Sequence, residues 1–193
     1  MQAKGEINIS PNYNKDSYLN LKLSTQSCEN DWKKAVSILR DRIEGRFFNQ
    51  IALLSNDVNA NGFAIIALNC LLIETLYQFR EGKEETSANK VAYSNFLMEE
   101  FPEAFKSQDM AESFYVKIRC GILHSAQTKR KSMLSDREDI VVALEDQTLV
   151  VSVKGVSELL KTYFEEYTKK LLDTSKIDLR TNFINKMRFV CRP

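Results

Sequence analysis

From Asn30 onward most of the chain is written in helical period. Trp32, Val36, Leu39, Ile43, Phe47, Ile51 and Leu54 recur at steps of three and four residues, which makes one apolar stripe on a helix. Lys34, Arg40, Asp41, Arg42 and Arg46 fall on its other side. Asn56 and Asp57 are expected to end this helix, and Asn59-Ala60-Asn61-Gly62 to supply a break and an N-cap. Phe63 to Arg80 is apolar nearly all round, which predicts the central, most buried helix. Glu81-Gly82-Lys83-Glu84-Glu85 reads as a solvated loop, and Asn89 to Phe101 as a helix stopped by Pro102. Ser107 is a candidate cap for a helix from Gln108 to about Ser125, with Met110, Phe114, Ile118 and Ile122 at four-residue steps.

The period then changes. Thr128 to Asp139 is polar and reads as a loop. Ile140 to Leu144 and Thr148 to Val153 are β-branched runs around Glu145-Asp146-Gln147, the composition of a small hairpin. Val156, Leu159, Leu160, Tyr163, Phe164, Tyr167 and Leu171 return to helical spacing, and an amphipathic segment runs from about Leu179 to Phe189. The expected fold class is mainly α: a helical bundle with a small β-hairpin insert. Residues 1–28 read as an irregular N-terminal arm, 29–175 as the bundle with its hairpin near 140–153, and 176–193 as a C-terminal amphipathic segment packed on it.

Composition narrows the function. A length of 193 residues is ample for a core, and 27 Lys+Arg against 26 Asp+Glu gives a net charge of +1. Bulk electrostatic adhesion to nucleic acid or membrane is therefore not expected, although a local basic patch is compatible with this balance. Cys28, Cys70, Cys120 and Cys191 form no CxxC pair, which argues against a zinc knuckle or redox dithiol. Cys70 and Cys120 sit in apolar surroundings and read as packed thiols. Met1 to Lys22 has no apolar signal-peptide core, and the apolar stretch Gly62 to Ile73 is short of the roughly 20 residues of a membrane span. The expected compartment is the cytoplasm. No phosphate-binding glycine loop, HExxH or Cys/His zinc set is present in the sequence, so no cofactor or metal is expected.

His124 is the only histidine. It closes the segment Phe114-Tyr115-Val116-Lys117-Ile118-Arg119-Cys120-Gly121-Ile122-Leu123-His124, so that an Arg precedes it by five positions near the end of a predicted helix. An Arg-x4-His motif in a helical bundle resembles the HEPN superfamily of prokaryotic defence, toxin and RNA-processing domains. The order of elements is similar too, over roughly Asn30 to Leu172. The resemblance implies a homodimer with facing motif helices. In active members it implies a metal-independent endoribonuclease whose nucleophile is the ribose 2′-hydroxyl. It also admits an antitoxin or nucleotidyltransferase-type partner, and inactive members that bind a protein, nucleotide or RNA. Active members commonly carry Asn, Asp or His after the Arg; here Cys120 stands there.

That chemistry needs a base, a cation for the phosphorane and an acid for the leaving oxygen. Imidazole serves as base or acid near neutrality, and guanidinium forks onto phosphate oxygens. One chain supplies one of each, and a two-fold dimer supplies two. On an ideal helix Arg119 and His124 lie about 140° apart around the axis. They meet if the helix loosens at Gly121, if a partner completes the site, or if the long Arg stem reaches around. The structural alternative is an ion-paired Arg119 and a His124 that caps the helix C-terminus. Glu74, alone on the most apolar helix, either orients His124 or pairs with Arg119, or else pairs with Arg40, Arg42 or Arg46. Asn69 reads as a hydrogen-bonded core amide. Lys129, Arg130 and Lys131 are candidate RNA-phosphate contacts or a solvated loop. Arg180, Lys186, Arg188 and Arg192, interleaved with Phe183, Ile184 and Phe189, either stack on RNA or belong to the docked terminal helix.

Overall fold

The computed structural model describes residues 7–85 and 89–192. The first six residues of the expected arm and Pro193 lie outside that range. The class is mainly α with a small β insert. Helices α1 (Lys15–Leu19), α2 (Glu29–Ile43), α3 (Asn49–Leu54), α4 (Val58–Glu81), α5 (Lys90–Glu100), α6 (Gln108–Ser113) and α7 (Cys120–Ser125) come first. Strands β1 (Ser132–Ser135), β2 (Val142–Glu145) and β3 (Thr148–Ser152) follow, then α8 (Val153–Leu172) and α9 (Ile177–Val190).

The expected break at Asn59–Gly62 is absent. The chain is helical without interruption from Glu29 to Glu81, with a π-helical turn at Glu44–Phe48 and a 3-10 turn at Ser55–Asp57. Asn56 and Asp57 loosen the helix without ending it: the Asp57 side chain accepts from Ala60 N (3.0 Å), and Asn61 Nδ2 donates back to Leu54 O (3.0 Å). Gly62 is a packing residue, with a methyl of Val153 3.4 Å from where its Cβ would stand. This helix holds a window long and apolar enough to cross a membrane. Of that window 56% is buried inside the protein, as in the core helix of a globular domain.

By contacts the chain divides into two compact units. The first comprises Met1–Gln50, Gln78–Glu85 and Phe164–Pro193. Its core gathers Trp32, Tyr18 and Phe79 around Phe183, with ring centroids 5.7, 6.2 and 6.0 Å from it. The terminal helix therefore contributes core side chains. Pro11 in the N-terminal arm packs onto Gly45, where any Cβ would collide with the proline ring. Arg40 forks onto Glu165 (2.8 and 2.7 Å), so the first long helix finds its ion pair on α8.

The second unit comprises Ile51–Tyr77 and Thr86–Tyr163. Its core is built on the buried side of α4, with Ile65, Ile66, Cys70 and Ile73, together with Phe96, Phe114, Ile118, Val151 and Leu160. Asn69 is fully buried and donates to Ser157 Oγ (2.8 Å). The expected hairpin is β2–β3, and Asp146 and Gln147 both take positive φ (45° and 64°) in its tight turn. The segment read as a loop contributes a further strand: β1 pairs in parallel with β3, giving the order β1-β3-β2.

Candidate active site

The motif helix starts where the sequence places it. Ser107 Oγ accepts from Met110 N (3.2 Å) and α6 follows. From Phe114 to Arg119 the backbone is π-helical, and the Cys120 N–H returns to Tyr115 O. A π turn shifts the ladder by one residue and re-aims the side chains that follow. The Lys117 carbonyl accepts from Lys129 N (3.1 Å), so residues 127–129 fold back over the helix. Gly121 permits that return, because a Cβ there would stand 2.6 Å from Gln127 O. Ala126 ends α7 in the left-handed region at φ 52°.

Arg119, His124 and Glu74 come together. Arg119 Nη1 lies 3.3 Å from His124 Nε2, and its Nη2 donates to Glu74 Oε2 at 3.0 Å. The helix does not loosen at Gly121; the Arg stem spans the angle. Guanidinium has only donors, so a hydrogen bond here uses Nε2 as the acceptor. Glu74 therefore pairs with Arg119, not with Arg40, Arg42 or Arg46; the last two donate to the carbonyls of Ile9 and Asn8. The side chains of Arg119 and Glu74 are 14% and 16% exposed, whereas His124 is exposed. Burial works against the Arg119 charge, but the Glu74 bond and charge outweigh it and hold its pKa above the ordinary value.

Residues not singled out by the sequence complete the surroundings. Tyr115 lies under the guanidinium, 5.5 Å from ring centroid to Cζ, and meets Tyr93 edge-on at 5.2 Å. Burial and the neighbouring Cys120 push its hydroxyl pKa up. Behind it, burial raises the Cys70 thiol to about 12, and the Tyr93 hydroxyl is buried without a well-formed hydrogen bond. Arg119 Nε is likewise buried without a partner. A signal for Tyr115 was present: it precedes Arg119 by four positions and so shares its side of the helix.

Lys129, Arg130 and Lys131 are exposed on the returning loop. Lys117, also unforeseen, joins them by donating to Lys131 O (3.4 Å), and Lys131 reaches Gln147 Oε1 (2.7 Å). Among the described residues none of these four has a carboxylate partner, while Arg137 holds Asp139 and Glu145, and Lys154 holds Glu138. Three of the four C-terminal cations have structural partners, and Arg188 is exposed. Arg180 is buried against Trp32, Lys186 donates to Glu84 O, and Arg192 forks onto Glu84. Among the described residues no three His, Cys, Asp or Glu side chains gather as a metal site. Compared with family models, with curated proteins and with solved structures, the chain matches none.

Proposed function

We propose that this chain is a HEPN-like, metal-independent endoribonuclease of a bacterial toxin or defence system, acting as a cytoplasmic homodimer. The observation that carries the reading is the Arg119 guanidinium set between His124 Nε2 (3.3 Å) and Glu74 (3.0 Å). A phosphodiester arriving at this pair offers Nη1 a better acceptor than the imidazole. The freed Nε2 takes the proton of the 2′-hydroxyl, whose oxygen attacks phosphorus. The 5′-oxygen leaves with a proton from the second copy's imidazole, and a 2′,3′-cyclic phosphate remains. Arg119 stabilises the phosphorane, and Glu74 keeps the guanidinium from swinging away. Lys117, Lys129, Arg130 and Lys131 supply sequence-independent, salt-sensitive affinity for the strand. An antitoxin or a nucleotidyltransferase-type protein is the partner this reading implies.

A second reading, a non-catalytic HEPN-like module that binds a protein, nucleotide or RNA, draws on Cys120 after the motif arginine and on Glu74 already occupying Nη2. Incubation of the pure protein with an RNA pool in EDTA separates the two. Cleavage with cyclic-phosphate ends, abolished by His124→Ala, is the expected outcome. Intact RNA in the presence of folded, dimeric protein would refute the nuclease reading. Full biological activity of His124→Ala would favour the binding module.

A further inference from the structure

The first unit has a cleft that the reading above does not use. It measures about 270 Å³ and is lined by Tyr18, Leu19, Lys22, Leu23, Ile184 and Arg188. Tyr18, Leu23 and Ile184 are buried beneath it, and Leu19, at 44% exposure, leaves an apolar wall open to solvent beside the polar groups of the lining. Lys22 and Arg188 are exposed at the rim, and among the described residues neither has a carboxylate partner.

The rim is held in place by the backbone. After α1 the chain turns through Leu21 N to Tyr18 O (3.0 Å) and Lys22 N to Leu19 O (3.1 Å), with Lys22 in the left-handed region at φ 47°. That conformation suits glycine or asparagine. What a lysine adds there is an ammonium at the mouth of the cleft.

The Tyr18 hydroxyl lies within reach of the Arg188 charge, fully buried and without a hydrogen-bond partner.

We propose that this cleft binds a small amphiphilic carboxylate, with its aliphatic or aromatic body on Leu19, Leu23 and Ile184 and its charge between Lys22 and Arg188. The volume lies just below the roughly 300–1,000 Å³ of drug-sized pockets, which suits a body of about ten non-hydrogen atoms. Neutral and cationic amphiphiles fit the walls but forgo the rim.

The test uses the intact protein labelled at Leu and Ile methyls, titrated with octanoate and, separately, with 1-octanol. Octanoate is expected to shift the methyls of Leu19, Leu23 and Ile184 in a saturable way. It should bind about tenfold more tightly than octanol, the scale of two solvent-exposed ionic contacts. The double variant Lys22→Glu, Arg188→Glu should bring octanoate to the level of octanol. Equal affinity for the two probes in the wild-type protein overturns the proposal, as does unsaturable octanoate binding or shifts scattered over other methyls. None of these readouts depends on RNA cleavage.

Discussion

Two arginines, one in each unit, use the same side chain in opposite ways. Arg180 is 2% exposed and, among the described residues, has no carboxylate at ion-pair distance, although the Asp173 charge acts on it. Its Nε and Nη2 donate to Leu171 O and Leu172 O at the end of α8, its Nη1 to Thr25 O, and its guanidinium lies 4.4 Å from the centroid of Trp32. Every nitrogen of that guanidinium is committed to fixed backbone, and its positive charge sits at a helix C-terminus where carbonyl dipoles favour it. Burial lowers its pKa. Arg119 has a carboxylate that raises its pKa despite burial, a buried Nε without a partner, and Nη1 on an exposed imidazole. Arg180 is bound so that it cannot leave, whereas Arg119 is bound on one side and exchangeable on the other. A guanidinium with a backbone acceptor on each nitrogen reads as a structural cation, and one with a buried Nε left over beside an imidazole is the candidate for chemistry.

The comparison can be broken in several places. The largest effect is expected at Arg119. Arg119→Ala should lower RNA cleavage by about 10²–10³-fold, the scale of losing one preorganised donor to a transition-state oxyanion. Arg180→Ala should leave that cleavage unchanged in the fraction still folded. It should cost about 3 kcal/mol of stability, because three carbonyls lose their donor and Trp32 its cation. A denaturant titration reads this directly, and a loss below about 0.5 kcal/mol, the scale of an ordinary surface change, would remove Arg180 from the structural class. Glu74→Ala should cost about 2 kcal/mol, less than breaking a fully buried pair, since both side chains keep some access to water. If Glu74→Gln is as damaging to cleavage as Glu74→Ala while restoring stability, the carboxylate acts through its charge on Arg119.

The smallest effect belongs to Lys186, also in the first unit. Its pKa falls from 10.5 to about 8 on folding, so between these values the unfolded chain holds a proton that the folded chain has released. Its contribution to stability must then rise with pH across that window and stay flat below about 8. Urea midpoints of wild type and Lys186→Met, compared from pH 7 to 10, should converge or cross in favour of wild type as pH rises. A constant difference would show that the ammonium is charged throughout.

Much of the fold was legible in local pattern. The helical stripes, the Ser107 cap and the hairpin turn at Asp146-Gln147 are properties of neighbouring residues, and they form where the spacing predicts. Strand β1 was not legible, because Ser132–Ser135 has no pattern of its own and is a strand only by pairing with β3. The fold-back onto the π turn was hidden for the same reason: Lys117 O accepts from Lys129 N, twelve residues on. The asparagine and glycine signals at Asn59–Gly62 do not break the helix, because the Asp57 and Asn61 side chains bond to its backbone and Gly62 packs on Val153. At the site, the pairing of residue types was readable from Arg119 and His124, but their meeting was not. An ideal helix separates them, and only the stem of Arg119, pulled by Glu74 from another helix, brings the guanidinium to the ring.

The amino-acid sequence by itself determined the helical class, the place of the hairpin, and the presence of a single imidazole five positions after an arginine. These are short-range facts, set by periodicity and by residue identity. Tertiary structure decided which cations are committed and which are exchangeable. It took Arg180 into a core of carbonyls and tryptophan, gave Glu74 to Arg119, and left Lys117 beside Lys129–Lys131 without a carboxylate partner among the described residues. A charge acquires its role from the groups that replace its water, and those groups come from parts of the chain that only folding brings near.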